Sequence, residues 1–400
     1  MPIRKCSSCA SNTPMVVLLV LLSTLSFVSC QTSNEQYWPD KEWESASPTA
    51  RGMDSAMLDN LVNAISNEEY GYIKSLLIVK DGYLITERYF HDADTSMLLP
   101  LYSVTKSILG MAWGIAEQNG DVPPVDTPIE KVLPQYSALI QSEPLKSRIT
   151  IHDLLTMTAG IDWVENNLRE GEITDDFYNV LMSPDMPSYV LSKTMVDTPG
   201  MWFTYNSGCS ILLSSIFTTS CGKKFGQYIN QHIFNPIGID SAFCQEVPSL
   251  TNMANGLFLT SREMARFGLL IARDGQWNNQ EIIPREWVRR ATTPSVFFDQ
   301  SLLLTGYGYQ WWLTKQKLSV GICDTITVHS ALGWGGQMIA VVPKYDLVVV
   351  LTAALSDDEL EEKHPVSILW HHILPAIIGK QANGSASPPV MAALRKPGAG

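Results

Sequence analysis

Ser103 and Lys106 stand three residues apart in Leu101-Tyr-Ser-Val-Thr-Lys-Ser-Ile-Leu-Gly110, a spacing that places both side chains on one face of a helix. A serine hydroxyl alone is a poor nucleophile. A lysine amine kept from water on the next turn can take its proton, and N–H groups left free at a helix N-terminus can receive an oxyanion. The chemistry on offer is acyl transfer. An S-x-x-K tetrad arises by chance in chains of this length, so its weight comes from the residues on its C-terminal side. Ile108-Leu-Gly-Met-Ala-Trp-Gly-Ile-Ala116 is small and apolar almost throughout, the pattern of a buried helix. A lysine at the head of such a helix needs a reason.

A serine–lysine pair needs a third group to carry the proton to a leaving group. Tyr205, in Pro199-Gly-Met-Trp-Phe-Thr-Tyr-Asn-Ser-Gly208, is available for that work. A neighbouring ammonium would favour its phenolate and so general-base catalysis; the plain alternative is a loop tyrosine that packs its ring. Ala331-Leu-Gly-Trp-Gly-Gly-Gln337 puts three glycines into four residues between two strand-like runs. Such a stretch lets another group come close to the backbone, as an oxyanion-hole strand requires. His329 could act as base in a Ser–His–Asp arrangement, but no G-x-S-x-G elbow occurs. Asp162 either meets a substrate amine or caps its loop, with Trp163 beside it as pocket lining; Trp311 and Trp312 read as core or wall. His364, His371 and His372 lack metal-ligand spacing, and without H-E-x-x-H no metal is expected.

The elements that must position these groups can be read from periodicity. Met53 to Glu68 reads as an amphipathic helix. Ile73–Val79 and Tyr83–Tyr89 read as strands joined by Asp81-Gly82, a hairpin signal. Helical patterns occupy 105–118, 151–157, 174–192 and 208–219. Strand character returns at Thr325–Ser330, Gln337–Val342 and Leu347–Ala353, the last two joined through Pro343-Lys-Tyr-Asp346, and Val366–Ile378 closes as an apolar helix kinked at Pro375. Early and late strands around a helical block predict an α+β fold: an antiparallel sheet flanked by helices and built from both chain ends, with a mainly helical lobe inserted.

The chain has 400 residues, 45% hydrophobic and 17% charged, enough for a large core and two lobes. Its net charge of −12 offers no basic stripe, so nucleic acid is not an expected partner. Arg4, Lys5 and the apolar run Met15–Val28 read as a secretory leader over residues 1–30. Phe27-Val-Ser-Cys30 resembles a bacterial lipoprotein box, which would lipidate Cys30 and attach the protein to a membrane; ordinary signal cleavage would release a secreted or periplasmic enzyme. Residues 31–52 read as a linker, 53–378 as the catalytic domain (sheet lobe 53–100 and 245–378, helical lobe 101–244), and 379–400 as a flexible tail. Cys6 and Cys9 would leave with the leader. Cys209 and Cys221 flank a helix about 18 Å long at 1.5 Å per residue, too far apart to bridge. With Cys244 and Cys323 they are expected to be buried free thiols.

The order Ser103-x-x-Lys106, then the Tyr205 loop, then the Gly333–Gly336 strand resembles the serine β-lactamase and penicillin-binding-protein superfamily. It is closest to the class C-like branch of esterases, D-aminopeptidase-like enzymes and 6-aminohexanoate-dimer hydrolases. Supporting stretches are Ser75-Leu-Leu-Ile-Val-Lys-Asp-Gly82, Ile151-His-Asp-Leu-Leu-Thr-Met-Thr-Ala-Gly-Ile-Asp-Trp163, Gly256-Leu-Phe-Leu-Thr260, Ala265-Arg-Phe-Gly268 and Gly306-Tyr-Gly-Tyr-Gln-Trp-Trp312.

The resemblance implies that Ser103 is the acylated nucleophile, Lys106 its proton acceptor and Tyr205 the relay to leaving group and water. It also implies an oxyanion hole of the Ser103 and Trp334 N–H groups, with Ser207, Gly333 and Gly335 at the substrate, and no cofactor. Two departures bear on substrate. Ala331 stands where the family's lysine would hold a carboxylate, and Ser207 where an amide side chain would steady the acyl group. The expectation is an exported serine hydrolase acting on a small-molecule ester or amide. The alternatives are a β-lactamase or D-amino-acid peptidase acting on cell-wall peptides, and a non-catalytic cell-wall sensor.

Overall fold

The computed structural model describes residues 36–165, 175–247, 250–251, 254–298, 303–319 and 322–378. The expected leader, Cys30 and the expected tail lie outside the described residues. Eight strands form one antiparallel sheet: β1 (Ile73–Lys80), β2 (Tyr83–Tyr89), β3 (Val296–Phe297), β4 (Gly306–Tyr307), β5 (Trp312–Ser319), β6 (Ile322–Gly333), β7 (Gln337–Val342) and β8 (Leu347–Ala353). Their order is β3-β4-β5-β6-β7-β8-β1-β2. The early hairpin thus pairs with the last strand, Leu77 opposite Val350, and the two chain ends meet in one sheet as expected. Asp81 and Gly82 both take positive φ, 54° and 86°, the left-handed pair of a two-residue hairpin turn whose twist matches its strands.

Alternate residues of the central strands enter two separate cores. Leu77, Val79, Ile339, Val341, Val348 and Val350 face one, while Leu76, Ile78, Met338, Ala340, Val342 and Val349 face the other. Because both faces are covered, these strands read as nearly continuous apolar runs. The second core is closed by α1 (Ser55–Ser66), begun by the Asp54 side chain accepting from Met57 N–H, together with the chain-end helices. The first core is filled by α2 (Val104–Asn119), the apolar helix of the serine–lysine tetrad, which is buried from Val104 to Ala116.

Small residues let α2 lie this deep. A methyl on Gly114 would sit 2.0 Å from the Trp287 ring, and that indole donates to the Gly110 carbonyl at 2.8 Å. Gly114→Ala is therefore expected to destabilise the fold by about 3 kcal/mol through overpacking. The measurement is the urea midpoint, which should fall at unchanged slope.

Several sequence expectations need correction. The helix expected over 174–192 is two, α3 (Asp176–Leu181) and α4 (Met186–Ser192). Pro184 interrupts the chain, and the Asp185 carboxylate restarts it by accepting from Ser188 N–H. Strand β5 has no counterpart among the sequence expectations, because Lys315, Gln316 and Lys317 give it no apolar run. It pairs with β6, a strand of 12 residues that includes Thr325–Ser330 but extends well past it.

The closing helix is not simply kinked at Pro375. It widens into a π turn over Leu369–Ile373, just ahead of a proline that cannot donate to the carbonyl four residues back. Nor is the segment before α1 a free tether along its described length. Tyr37 stacks on Tyr83 at 4.2 Å, its carbonyl accepts from Arg273, Trp43 is buried, and Ser45 bridges Leu84. These contacts cover the outer edge of β2, which would otherwise present unpaired backbone groups.

Cys209, Cys221 and Cys244 are not joined in a disulfide, the first being buried and the other two half-buried. The helix α5 (Ser207–Cys221) separates the first two. The Cys323 side chain lies outside the described residues.

Candidate active site

The turn before α2 is strained at the residue preceding Ser103. Tyr102 takes φ 46°, a left-handed conformation costly for a bulky residue and characteristic of functional sites. The turn is pinned from behind, since Leu101 N–H donates to the Leu257 carbonyl at 2.9 Å and Thr105 Oγ1 accepts from Leu257 N–H at 3.2 Å. Ser103 comes next with φ −68°, half-buried at the head of the helix.

Lys106 lies beside it. Its Nζ is 2.8 Å from Ser103 Oγ and 2.8 Å from the Ala254 carbonyl, and the residue is only 1% exposed. The aromatic faces of Tyr205 and Phe177 lie 5.4 and 5.9 Å from the amine. Burial disfavours the ammonium and pushes this lysine down to about 8, against the opposing pull of the Glu165 carboxylate. An amine that can be neutral near physiological pH, within hydrogen-bond reach of a serine, is equipped as a general base.

Tyr205 completes the set, stacked on Trp312 at 5.5 Å and in hydrogen-bond contact with Ser103. Its phenol is not ionised in the way the sequence suggested. Burial, reinforced by Glu165, drives it well above its ordinary value, with the Ser103 contact opposing. Desolvation holds Tyr205 as a phenol, while it leaves the Lys106 amine the easier of the two to find neutral. His329 is also unsuited to be the base: it lies within β6, opposite Val341, and burial holds it at about 4.

The glycine-rich stretch comes to the same place. A methyl on Gly333 would stand 2.3 Å from the Leu101 carbonyl, so only glycine lets the end of β6 rest against the turn that leads into Ser103. Trp334, the next residue, is 48% exposed, edge-on to Tyr102 at 5.3 Å and donates its indole N–H to Asp357. A cavity of about 80 Å³ adjoins these two rings and is lined also by Lys74, Gly335 and Gln337. Gly335 adopts φ 72° at this turn. The Ala331 methyl is buried in the first core.

The expected substrate contacts divide. Asp162 has its N–H on the Thr194 carbonyl, and its carboxylate joins none of the contacts among Ser103, Lys106 and Tyr205. Trp163 is buried rather than lining open space. Ser207 is fully buried at the first turn of α5, and it faces Glu165 instead of substrate. Glu165 Oε1 accepts from Ser207 Oγ at 2.6 Å, and Oε2 accepts from Ser207 N–H at 2.8 Å and from Trp163 Nε1 at 2.8 Å.

Sequence reasoning missed Glu165, as well as Phe177 and the Ala254 carbonyl. Each comes from a loop or short helix distant from the tetrad, and no motif marked any of them.

Comparison with known proteins bears on the family and the fold. The family model described as Beta-lactamase matches residues 74–368. A putative penicillin-binding protein of Bacillus subtilis is 30% identical over 189 residues, a match spanning 44% of this chain and 43% of that protein. The chain thus matches less than half the length of that relative. Among solved structures, a putative 6-aminohexanoate-dimer hydrolase from Bacillus anthracis superposes with a TM-score of 0.65 at 18% identity, covering 85% of this chain and 90% of that one. A hydrolase with promiscuous acyltransferase activity superposes with a TM-score of 0.64 at 14% identity, covering 81% and 99%.

Proposed function

This chain belongs to the beta-lactamase family and is a serine hydrolase, and from that premise we propose that it cleaves an ester or amide through an acyl-enzyme on Ser103. One observation carries the reading: Lys106 Nζ is 2.8 Å from Ser103 Oγ in a site dry enough to bring the amine down to about 8. Neutral Lys106 takes the hydroxyl proton as Ser103 attacks the carbonyl. The oxyanion meets the N–H groups of Ser103 and Trp334, an assignment supported by the close approach of Gly333 to the Leu101 carbonyl. Tyr205, protonated, delivers a proton to the departing oxygen or nitrogen and is reprotonated through Lys106. Water then enters, gives its proton to the same pair and releases the acid.

With Ala331 packed in the core, the preferred substrate is one that needs no lysine clamp on a carboxylate. Short p-nitrophenyl esters should be turned over with a higher kcat/KM than the β-lactam nitrocefin; the reverse order would remove this reading. One observation favours the alternative of carboxylate-bearing cell-wall peptides or β-lactams. Lys74, without an ion-pair partner among the described residues, lines the cavity next to Trp334. If that amine holds a carboxylate, Lys74→Met will slow nitrocefin and leave neutral esters alone.

Export is part of the proposal and rests on the leader of residues 1–30, with Cys30 as the lipidation site. Among the described residues no helix is long and apolar enough to cross a membrane.

A further inference from the structure

We propose that Gln310, in the turn between β4 and β5, is a positioning residue for the acyl-transfer reaction. It ties the helix of Ser103 and Lys106 to the loop and helix of Tyr205, and so sets the distances over which these three groups pass a proton. The proposal deepens the serine-hydrolase reading and rests on it.

Gln310 is 1% exposed and spends each of its polar groups on a link to another segment. Its backbone carbonyl accepts from Ser107 Oγ at 2.6 Å, and Ser107 follows Lys106 on α2. Its side-chain Oε1 accepts from Ser210 Oγ at 2.7 Å, in the first turn of α5 that begins just after Tyr205. Its Nε2 donates to the Leu154 and Leu155 carbonyls at 3.2 and 3.0 Å, and its N–H donates to the Leu155 carbonyl at 3.0 Å. Those two carbonyls end the short helix Ile151–Leu155.

The end of that short helix carries the Tyr205 loop. Met157, just beyond it, takes φ 56°, and its carbonyl accepts at 3.0 Å from the N–H of Thr204, the residue before Tyr205. Gly200 N–H donates in the same way to the Thr158 carbonyl at 2.8 Å. Gln310 therefore reaches Tyr205 from both directions along the chain, through Leu155 and Met157 to Thr204, and through Ser210. On its other side the turn lies directly on α2, where a methyl on Gly110 would stand 2.6 Å from the Tyr309 carbonyl.

The backbone explains why the choice of side chain matters. Gln310 takes φ 61°, a left-handed conformation that glycine enters freely and a residue with a Cβ enters only at a cost. Such strain persists where the surroundings over-determine it, and it gathers at functional sites. An amide side chain offers an acceptor and two donors at once, and here the acceptor serves α5 while the donors serve the short helix. Apolar packing holds segments together, but hydrogen bonds are directional and fix how they sit. Lys106 Nζ stands 2.8 Å from Ser103 Oγ and 5.4 Å from the Tyr205 ring, and a misplacement of about 1 Å at such a site can cost about 100-fold in rate.

The test counts active sites and then measures what each one does. Wild type and variants are labelled to completion with a fluorophosphonate probe, and kcat and KM per labelled site are followed against pH on one p-nitrophenyl ester. In Gln310→Gly the strain is relieved and the side-chain links are lost. There kcat per site should fall about 10- to 100-fold, with KM changed by less than about twofold. The pH midpoint of kcat/KM, set by Lys106 at about 8, should rise by about half a unit or more, because looser packing readmits water to a buried amine. Glu165 and Tyr205, the titratable groups that bear on Lys106, are unchanged in this variant.

A residue that only holds the fold together would lower the melting temperature and the fraction of sites that label. It would leave kcat per site and the pH midpoint where they were, and that outcome overturns the proposal while leaving the hydrolase reading intact. Ser210→Ala deletes only the hydroxyl that meets Oε1 and decides the matter if the glycine variant folds poorly. It should lower kcat per site about 3- to 10-fold, the size of one hydrogen bond, and raise the midpoint in the same direction. A wild-type kcat and midpoint in Ser210→Ala overturns the proposal as well. Absence of both turnover and Ser103 labelling in the wild type would overturn the hydrolase reading itself, before either variant is compared.

Discussion

Ser103→Ala is expected to lower kcat by about 10⁴- to 10⁶-fold, the usual cost of removing a nucleophile whose partners act as a unit, and to abolish covalent labelling by fluorophosphonate probes. The fold should survive, since the Ser103 side chain contacts only Lys106 and Tyr205 among the groups of the site. Intact-protein mass spectrometry during ester turnover should show the mass of the acyl group on the wild type and none on the variant. That shift also separates hydrolysis from the sensor reading, because a protein that only binds gains no covalent mass. Persistent labelling after the substitution would mean that another residue is the nucleophile, and the mechanism would have to be rebuilt around it.

Lys106→Met should lose activity by at least about 10³-fold, as expected when a general base is deleted, yet yield a more stable protein at pH 7. The folded chain holds this lysine at about 8 against an ordinary value of 10.5. At pH 7 the buried ammonium therefore costs about 3 kcal/mol, at 1.36 kcal/mol per pKa unit. Methionine fills similar volume without charge. It leaves the Ala254 carbonyl without its 2.8 Å donor, a loss of about 1 to 2 kcal/mol. The charge wins, and a net gain of about 1 to 2 kcal/mol remains.

The same shift sets the sign of the pH dependence. Because the folded-state value is depressed, the penalty is fully present below about 8 and is relieved as pH rises toward 10.5, where the unfolded chain too gives up its proton. Wild-type stability should therefore climb across that window from this group, and the variant should lack this contribution. Thermal melts at pH 7 and pH 10 check both points, and a variant less stable than wild type at pH 7 would contradict them. Wild-type kcat/KM should rise through about pH 8 as Lys106 becomes neutral.

The hairpin at Asp81-Gly82 was legible because a two-residue turn with both φ positive has few sequence solutions. The burial of α2 was legible because its small apolar residues can go nowhere else. Strand β5 was hidden because its polar middle carries no period. The split of α3 and α4 turned on one proline and the aspartate that restarts the helix after it, a local competition that periodicity averages away.

At the site, residue type and order single out Ser103, Lys106, Tyr205 and the Gly333–Trp334 strand, segments that the structure brings close to one another. A nucleophile, a base three residues along and a glycine that admits a backbone are properties of short segments. Protonation states could not be read this way. Whether an ammonium beside Tyr205 or the burial of Tyr205 prevails depends on how much water the whole fold excludes, and burial prevailed.

The sequence by itself determined the reaction class, because the serine–lysine spacing, the apolar helix behind it and the order of the later motifs are written along the chain. Only the tertiary structure decided which groups gather around the serine–lysine pair. It turned Ser207 onto Glu165, brought Glu165 beside the catalytic pair from a loop about 60 residues along the chain, and set Lys74 against the cavity at Trp334. Binding pockets are assembled from segments far apart in sequence, so which side chain is left with an open lone pair or an unpaired charge emerges only when the segments are packed.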